Sequence, residues 1–171
     1  MKQETDAQNG VWSTPQWFFD KLLAEFPMET DVCASPDNAK CEQYFTEEMD
    51  GLKQTWTGHC FMNPPYGDRG ANGMWHWMRK AHDSAAEGSA TVVCLIPART
   101  DTEWWFDFAP NGEVRFLKGR LNFSECKGGG KFPSALVIFH AHLDPGRIVR
   151  WVTREEPSMF LYEGNPERRA R

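Results

Sequence analysis

The chain has 171 residues, 40% hydrophobic and 25% charged, which suits one globular domain with a core of its own. A formal charge of −5 excludes a general polyanion binder, because non-specific nucleic-acid affinity rests on Lys and Arg, and leaves room only for a local basic face. Five cysteines, an odd number with no CxxC spacing, argue against a disulfide framework and for a reducing compartment.

Residues 1–12 are polar and read as a disordered N-terminus. Ser13-Thr14-Pro15-Gln16 then reads as a helix start, with Thr14 as N-cap and Pro15 at the first helical position. Phe18, Phe19, Leu22, Leu23 and Phe26 give that helix an apolar stripe, and Pro27 ends it. A short strand is expected over 29–34, ending near Asp31. The stretch from Ser35 to Thr55 is polar and loop-like, with one short strand at Gln43-Tyr44-Phe45 and a turn at Asp50-Gly51. His59 to Met62 is the next strand.

After a polar, Gly-rich loop over 67–73 comes a helix with Met74, Trp77, Met78, Ala81 and Ala85 on one face and Gly88 past its end. Thr91 to Ile96 is a continuous apolar run, as in a buried parallel strand, closed by Pro97. Thr100-Asp101-Thr102-Glu103 reads as a capping box opening a helix through Trp104, Trp105, Phe106 and Phe108, which gives Glu103 a structural rather than a catalytic role. Glu113 to Leu117 and Ser134 to His140 are strands, separated by the loop Lys118 to Pro133 with its run Gly128-Gly129-Gly130. Residues 13–156 form the domain, and 157–171 form a polar tail ending in Arg168, Arg169 and Arg171. The order implies an α/β sheet, mostly parallel, with the last two strands as an antiparallel pair at one edge.

The most informative segment is Asn63-Pro64-Pro65-Tyr66. Two prolines fix φ, remove two backbone donors and hold Asn63 extended. The corner therefore presents acceptors, the Asn63 side-chain oxygen and the Pro64 carbonyl, beside one aromatic ring. That combination suits a planar amine such as the exocyclic amino group of a nucleobase, although Pro-Pro after a strand is also an ordinary turn. Asp31 and Asn63 both stand at strand carboxyl ends, where open α/β sheets bind ligands.

Taken together the pattern resembles the phage DNA N-6-adenine methyltransferase family. The residues that carry the likeness are Thr14-Pro15 before a helix, Asp31 with Ala34, Asn38-Ala39, Asp50-Gly51-Leu52, Trp56 and Asn63-Pro64-Pro65-Tyr66-Gly67. It continues through Leu95-Ile96-Pro97-Ala98, Trp105, Gly119-Arg120, Phe123 and Leu136-Val137-Ile138-Phe139. The chain departs from the wider superfamily in one place: Asp31-Val32-Cys33-Ala34-Ser35-Pro36 stands where a Gly-x-Gly loop would follow the first strand. The segment between Asp31 and Asn63 is also short for the further strands and helices a complete methyltransferase fits there.

The resemblance implies a reduced Rossmann-like fold and methyl transfer from S-adenosylmethionine to N6 of adenine in duplex DNA. The adenine would be flipped out of the helix, and the enzyme would modify phage or prophage DNA. It implies a catalytic corner of Asn63, Pro64, Pro65 and Tyr66, with Tyr66 stacking on the base. It also implies cofactor contacts from Thr14, Pro15, Asp31, Cys33, Ala34 and Asp50, with Asp31 accepting from the cofactor's amino group. Substrate contacts would come from Tyr66, Gly67, Arg69, Arg120 and Phe123, with Lys127, Lys131 and Phe132 as further candidates. The methyl donor is already reactive, and neither His140-x-His142 nor His76 with His82 has partners at zinc spacing, so no metal is expected. A cytoplasmic protein of a bacterial host cell is expected, since no apolar run is long enough to cross a membrane. The same corner also fits a methyltransferase of RNA or of protein glutamine. The missing Gly-x-Gly loop leaves room for a catalytically silent nucleic-acid or cofactor-binding relic.

Overall fold

The structure is a computed structural model that describes residues 13–67, 70, 73–123, 132–142 and, for the backbone, 147–151. The expectations for residues 1–12, the tail 157–171, Arg69, Lys127, Lys131 and Gly128-Gly129-Gly130 lie outside the described residues.

Helix α1 spans Gln16–Leu23 and buries Phe18, Phe19 and Leu22, three members of the expected stripe. Strands β1 (Thr30–Asp31) and β2 (Gln43–Tyr44) are short and parallel to each other. A 3-10 turn over Gly51–Lys53 follows, and then β3 (Gly58–Met62), whose last three residues are buried. Helix α2 (Met74–Ala86) leads to β4 (Ala90–Pro97), nearly all of it buried. Helix α3 (Glu103–Phe108) leads to β5 (Glu113–Leu117), then β6 (Ser134–Phe139) and β7 (Arg147–Trp151).

The seven strands form one sheet in the order β2-β1-β3-β4-β6-β5-β7. Only β6 runs against its neighbours; the β1–β3, β3–β4 and β5–β7 pairs are parallel. The antiparallel pairing of β5 with β6 matches expectation, but the pair is not at the edge. β7, which the sequence reading did not mark, pairs with β5 and takes the edge.

The two faces follow from strand alternation. Arg115 reaches Glu25, just beyond α1, while its neighbour Phe116 stacks on Trp105 of α3. Likewise Phe61 of β3 meets Phe19 of α1, and Phe139 of β6 meets His82 of α2. So α1 covers one face and α2 with α3 the other. The core between them includes Leu95, Leu136, Val137, Ile138 and Phe139, none of which reaches solvent.

Two helix starts differ from the sequence reading. Pro15, not Thr14, is the N-cap of α1, with extended ψ of 136°. Its carbonyl accepts from the N–H of Phe18 and Phe19. Thr14 is buried and its hydroxyl turns elsewhere. At α3 the capping box does not form: Thr102 is the N-cap, and its hydroxyl donates to the Arg99 carbonyl at 2.8 Å. By contrast Gly88 sits just past α2 with φ of +77°, as a helix-ending glycine should.

Candidate active site

Between β1 and β3 the chain changes direction of travel across the sheet. From β1 it steps outward to β2, then returns to β3 on the other side of β1. Such a switch point leaves a crevice at the strand carboxyl ends, the usual ligand position in an open α/β sheet. Asp31 closes β1 and Asn63 follows β3, so the fold brings these two expected residues to one crevice.

Asn63 is held from both sides. Its Nδ2 donates to Thr14 Oγ1 at 3.0 Å, across 49 positions of sequence. Its Oδ1 accepts from the Tyr66 hydroxyl at 2.6 Å. The Leu95 carbonyl, 3.5 Å from that hydroxyl, is a weaker second acceptor. Pro64 is buried, while Pro65 and Gly67 are exposed, and the Gly67 carbonyl accepts from the N–H of Met74 at the start of α2. The corner is thus tied to α1, β4 and α2.

Tyr66 is not an open stacking platform in this structure. Its ring is 8% exposed and lies edge-on to Phe132 at 5.3 Å and Phe123 at 6.3 Å. Burial pushes its phenol well above the ordinary value, so it is a hydrogen-bond donor across the working pH range. Phe123, expected at the substrate, is a 2%-exposed wall behind Tyr66; the half-buried Phe132 is the outer member of the trio.

Asp31 is 3% exposed and has an unusual environment for a carboxylate. Oδ2 accepts from the Lys40 N–H at 3.1 Å and Oδ1 from the Cys33 N–H at 3.4 Å. Burial raises its pKa to about 6, against the opposing pull of those two amides and of the Lys40 charge. The Lys40 ammonium itself donates to Gln16 on α1 rather than to Asp31. Among the described residues Asp31 accepts hydrogen bonds only from these two main-chain amides, and such a buried carboxylate suits a cationic group such as an amino acid's ammonium. Cys33 is half-buried beside it, and burial together with the Asp31 charge lifts its thiol well above the usual range. Ala34 donates its N–H to the Phe45 carbonyl, which ties the loop after β1 to β2.

Asp50 precedes the 3-10 turn over Gly51–Lys53 with φ of 53° and pairs with Lys53 at 2.8 Å. That hydrogen bond holds its carboxyl below the usual value. The next residue packs closely: a Cβ on Gly51 would meet the Val32 carbonyl at 2.1 Å, so the turn lies against the chain leaving β1. Arg120 is exposed after β5, on the same pole of the sheet.

Sequence reasoning missed three contributors: the Lys40 amide, the Leu95 carbonyl and the side-chain role of Thr14. The first two are main-chain groups and leave no sequence signal. Thr14 was noticed, but for a local role that the fold gives to Pro15.

The family model for "DNA N-6-adenine-methyltransferase (Dam)" matches residues 2–159. A "DNA N-6-adenine-methyltransferase" of Escherichia phage T1 is 28% identical over 120 residues, 68% of this chain. The chain spans 48% of that relative's length. A protein of Escherichia coli strain K12 named "Putative methyltransferase YfdM" is 35% identical over 65 residues, 32% of this chain and 69% of its own. With the family model covering most of its length, this chain belongs to the DNA N-6-adenine-methyltransferase (Dam) family.

Proposed function

We propose that this chain transfers a methyl group from S-adenosylmethionine to N6 of adenine in DNA, modifying phage or prophage DNA. The observation that carries the reading is the Asn63 amide: it stands at the switch-point crevice, opposite a buried carboxylate, with its orientation gripped from two sides.

The chemistry needs positioning more than proton transfer. The N6 lone pair of adenine is delocalised into the ring and is a poor nucleophile. Asn63 Oδ1 and the Pro64 carbonyl accept the two N6 hydrogens and turn the nitrogen lone pair outward. Fixed dipoles of this kind act without reorganising, which is how such sites stabilise developing charge. An amide oxygen carries two lone pairs, so the bond from Tyr66 does not by itself exhaust it. Tyr66, backed by Phe123 and Phe132, forms the aromatic side of the base pocket. Stacking on Tyr66 requires the half-buried Phe132 to yield. Adenine N6 lies inside the duplex, so the base is extruded to reach the corner.

S-adenosylmethionine supplies an electrophilic methyl group. Asp31 receives its ammonium, and the main chain entering α1 at Thr14 and Pro15, rather than the Thr14 hydroxyl, lies at its amino-acid end. Cys33, Ala34 and Asp50 line the remaining contacts, and Gly67 and Arg120 face the DNA.

The test is methyl transfer from labelled S-adenosylmethionine to duplex DNA, RNA and a glutamine-bearing protein, offered side by side. The reading expects label in DNA alone. Label in RNA or protein instead would assign the corner to another amine. No cofactor binding by calorimetry, with or without DNA, would leave a silent relic.

A further inference from the structure

We infer that Thr14 is the positioning residue of the acceptor corner: its hydroxyl sets which end of the Asn63 amide faces the substrate. The inference rests on the reading of Asn63 as the group that holds the substrate amine.

An amide side chain has two ends of similar size and opposite chemistry. With Oδ1 toward the crevice, Asn63 accepts from an amine. Turned over, it would confront that amine with a donor, and two donors cannot bond. The corner's turnover therefore depends on the amide being locked one way. Thr14 Oγ1, 3.0 Å from Nδ2, takes up the nitrogen end, and the Tyr66 hydroxyl, 2.6 Å from Oδ1, marks the oxygen end. Tyr66 lies three residues from Asn63 and moves with the corner, whereas Thr14 belongs to the entry of α1.

The placement of Thr14 supports a dedicated role. The residue is 2% exposed, yet its hydroxyl is not spent on capping α1, since that cap has no side-chain bond. The following proline biases Thr14 toward extended backbone, which limits where its side chain can reach. The nitrogen end of the amide is thus held by a residue before α1, and the oxygen end by Tyr66 of its own corner.

The experiment uses the full chain and four variants. Thr14→Val removes the hydroxyl and keeps the branched shape. Thr14→Ser and Thr14→Ala lose the same methyl and differ only in the hydroxyl, so that pair remains informative if the Val variant folds poorly. Turnover on duplex DNA, cofactor affinity by calorimetry, and the Asn63 side-chain amide signals in a nitrogen-15 spectrum without ligand are read for each. We expect Val and Ala to lose about tenfold or more in kcat, with KM for DNA and cofactor affinity within about twofold of wild type. Ser should stay within a few-fold of wild type. The Asn63 amide signals should shift in Val and Ala but not in Ser; Asn63→Asp assigns them by their loss. Full turnover in Ala would overturn the inference, as would a parallel loss of cofactor affinity or amide signals that ignore the hydroxyl. A wild-type protein that fails to methylate DNA while its amide signals respond as expected would instead sink the proposed function alone.

Discussion

Asp31 carries the clearest pH signature of any single residue. Its folded pKa of about 6 lies above the ordinary 3.8, because burial disfavours the charged form. The protonated carboxyl is favoured by the fold, so its stabilising contribution is fully present below pH 3.8 and is lost as pH rises through 6. From pH 5 to pH 8 this amounts to about 1 kcal/mol. Denaturant melts should show the wild type losing stability relative to Asp31→Asn over that range; a pH-independent difference would mean Asp31 is not the titrating group. Cofactor affinity should run the other way, weakening as pH falls below about 6, because only the carboxylate attracts an ammonium.

At the corner, Asn63→Ala should cost about 100- to 1,000-fold in turnover, the range for removing a fixed group aimed at developing charge, while cofactor binding survives. Equal loss of cofactor binding would mark Asn63 as structural. Tyr66 divides into a ring and a hydroxyl. Tyr66→Phe keeps the buried ring and loses the bond to Asn63, which should slow turnover by roughly tenfold at most. Tyr66→Ala empties a site packed against Phe123 and Phe132 and should cost about 3 kcal/mol of folding stability. An unchanged melt for Tyr66→Ala would contradict the packing described here.

At the scale of elements, the sequence reading succeeded where the signal was local and periodic. The apolar runs of β4 and β6 and the stripe of α2 declared themselves, because a central strand or a core-facing helix side is apolar wherever it sits. It failed where a distant partner decided the outcome. Thr14 looks like a cap by local rules, but a half-buried amide 49 positions away takes its hydroxyl. At α3 the competitor is local instead: Thr100 to Glu103 has the capping-box spacing, yet Thr102 bonds back to the Arg99 carbonyl three residues before it. In β5 the reading saw a strand but not its charge network. Arg115, 1% exposed, binds both oxygens of Glu25 and pairs with Glu113 at 2.6 Å; Glu113 also meets His140 at 3.3 Å. This cluster lies at the pole opposite the crevice and fastens the end of α1 to the sheet. Removing one partner of a buried ion pair strands the others, so Arg115→Ala should cost about 3–5 kcal/mol in chemical denaturation. Methyl transfer per folded molecule should be unaffected.

For the whole molecule, strand order was the part least visible beforehand. Elements can be read one at a time, whereas the switch point between β1 and β3 is a relation among three strands. That relation brings Asp31, Asn63 and Thr14 together. It also explains how a chain with a short, loop-like segment between β1 and β3 still forms a two-sided crevice: Gly51 packs that segment onto the Val32 carbonyl. The charge of −5 carries over to binding, since few cations are available to release counterions from DNA. DNA affinity should therefore fall only gently with salt in a titration, and a steep slope would reveal a larger basic face. The most direct test is modified-base sequencing of DNA from cells expressing the protein or its Asn63→Ala variant. The account predicts N6-methyladenine with the wild type and none above background with the variant. Unmodified DNA from cells holding folded wild-type protein, or equal modification by the variant, would contradict it.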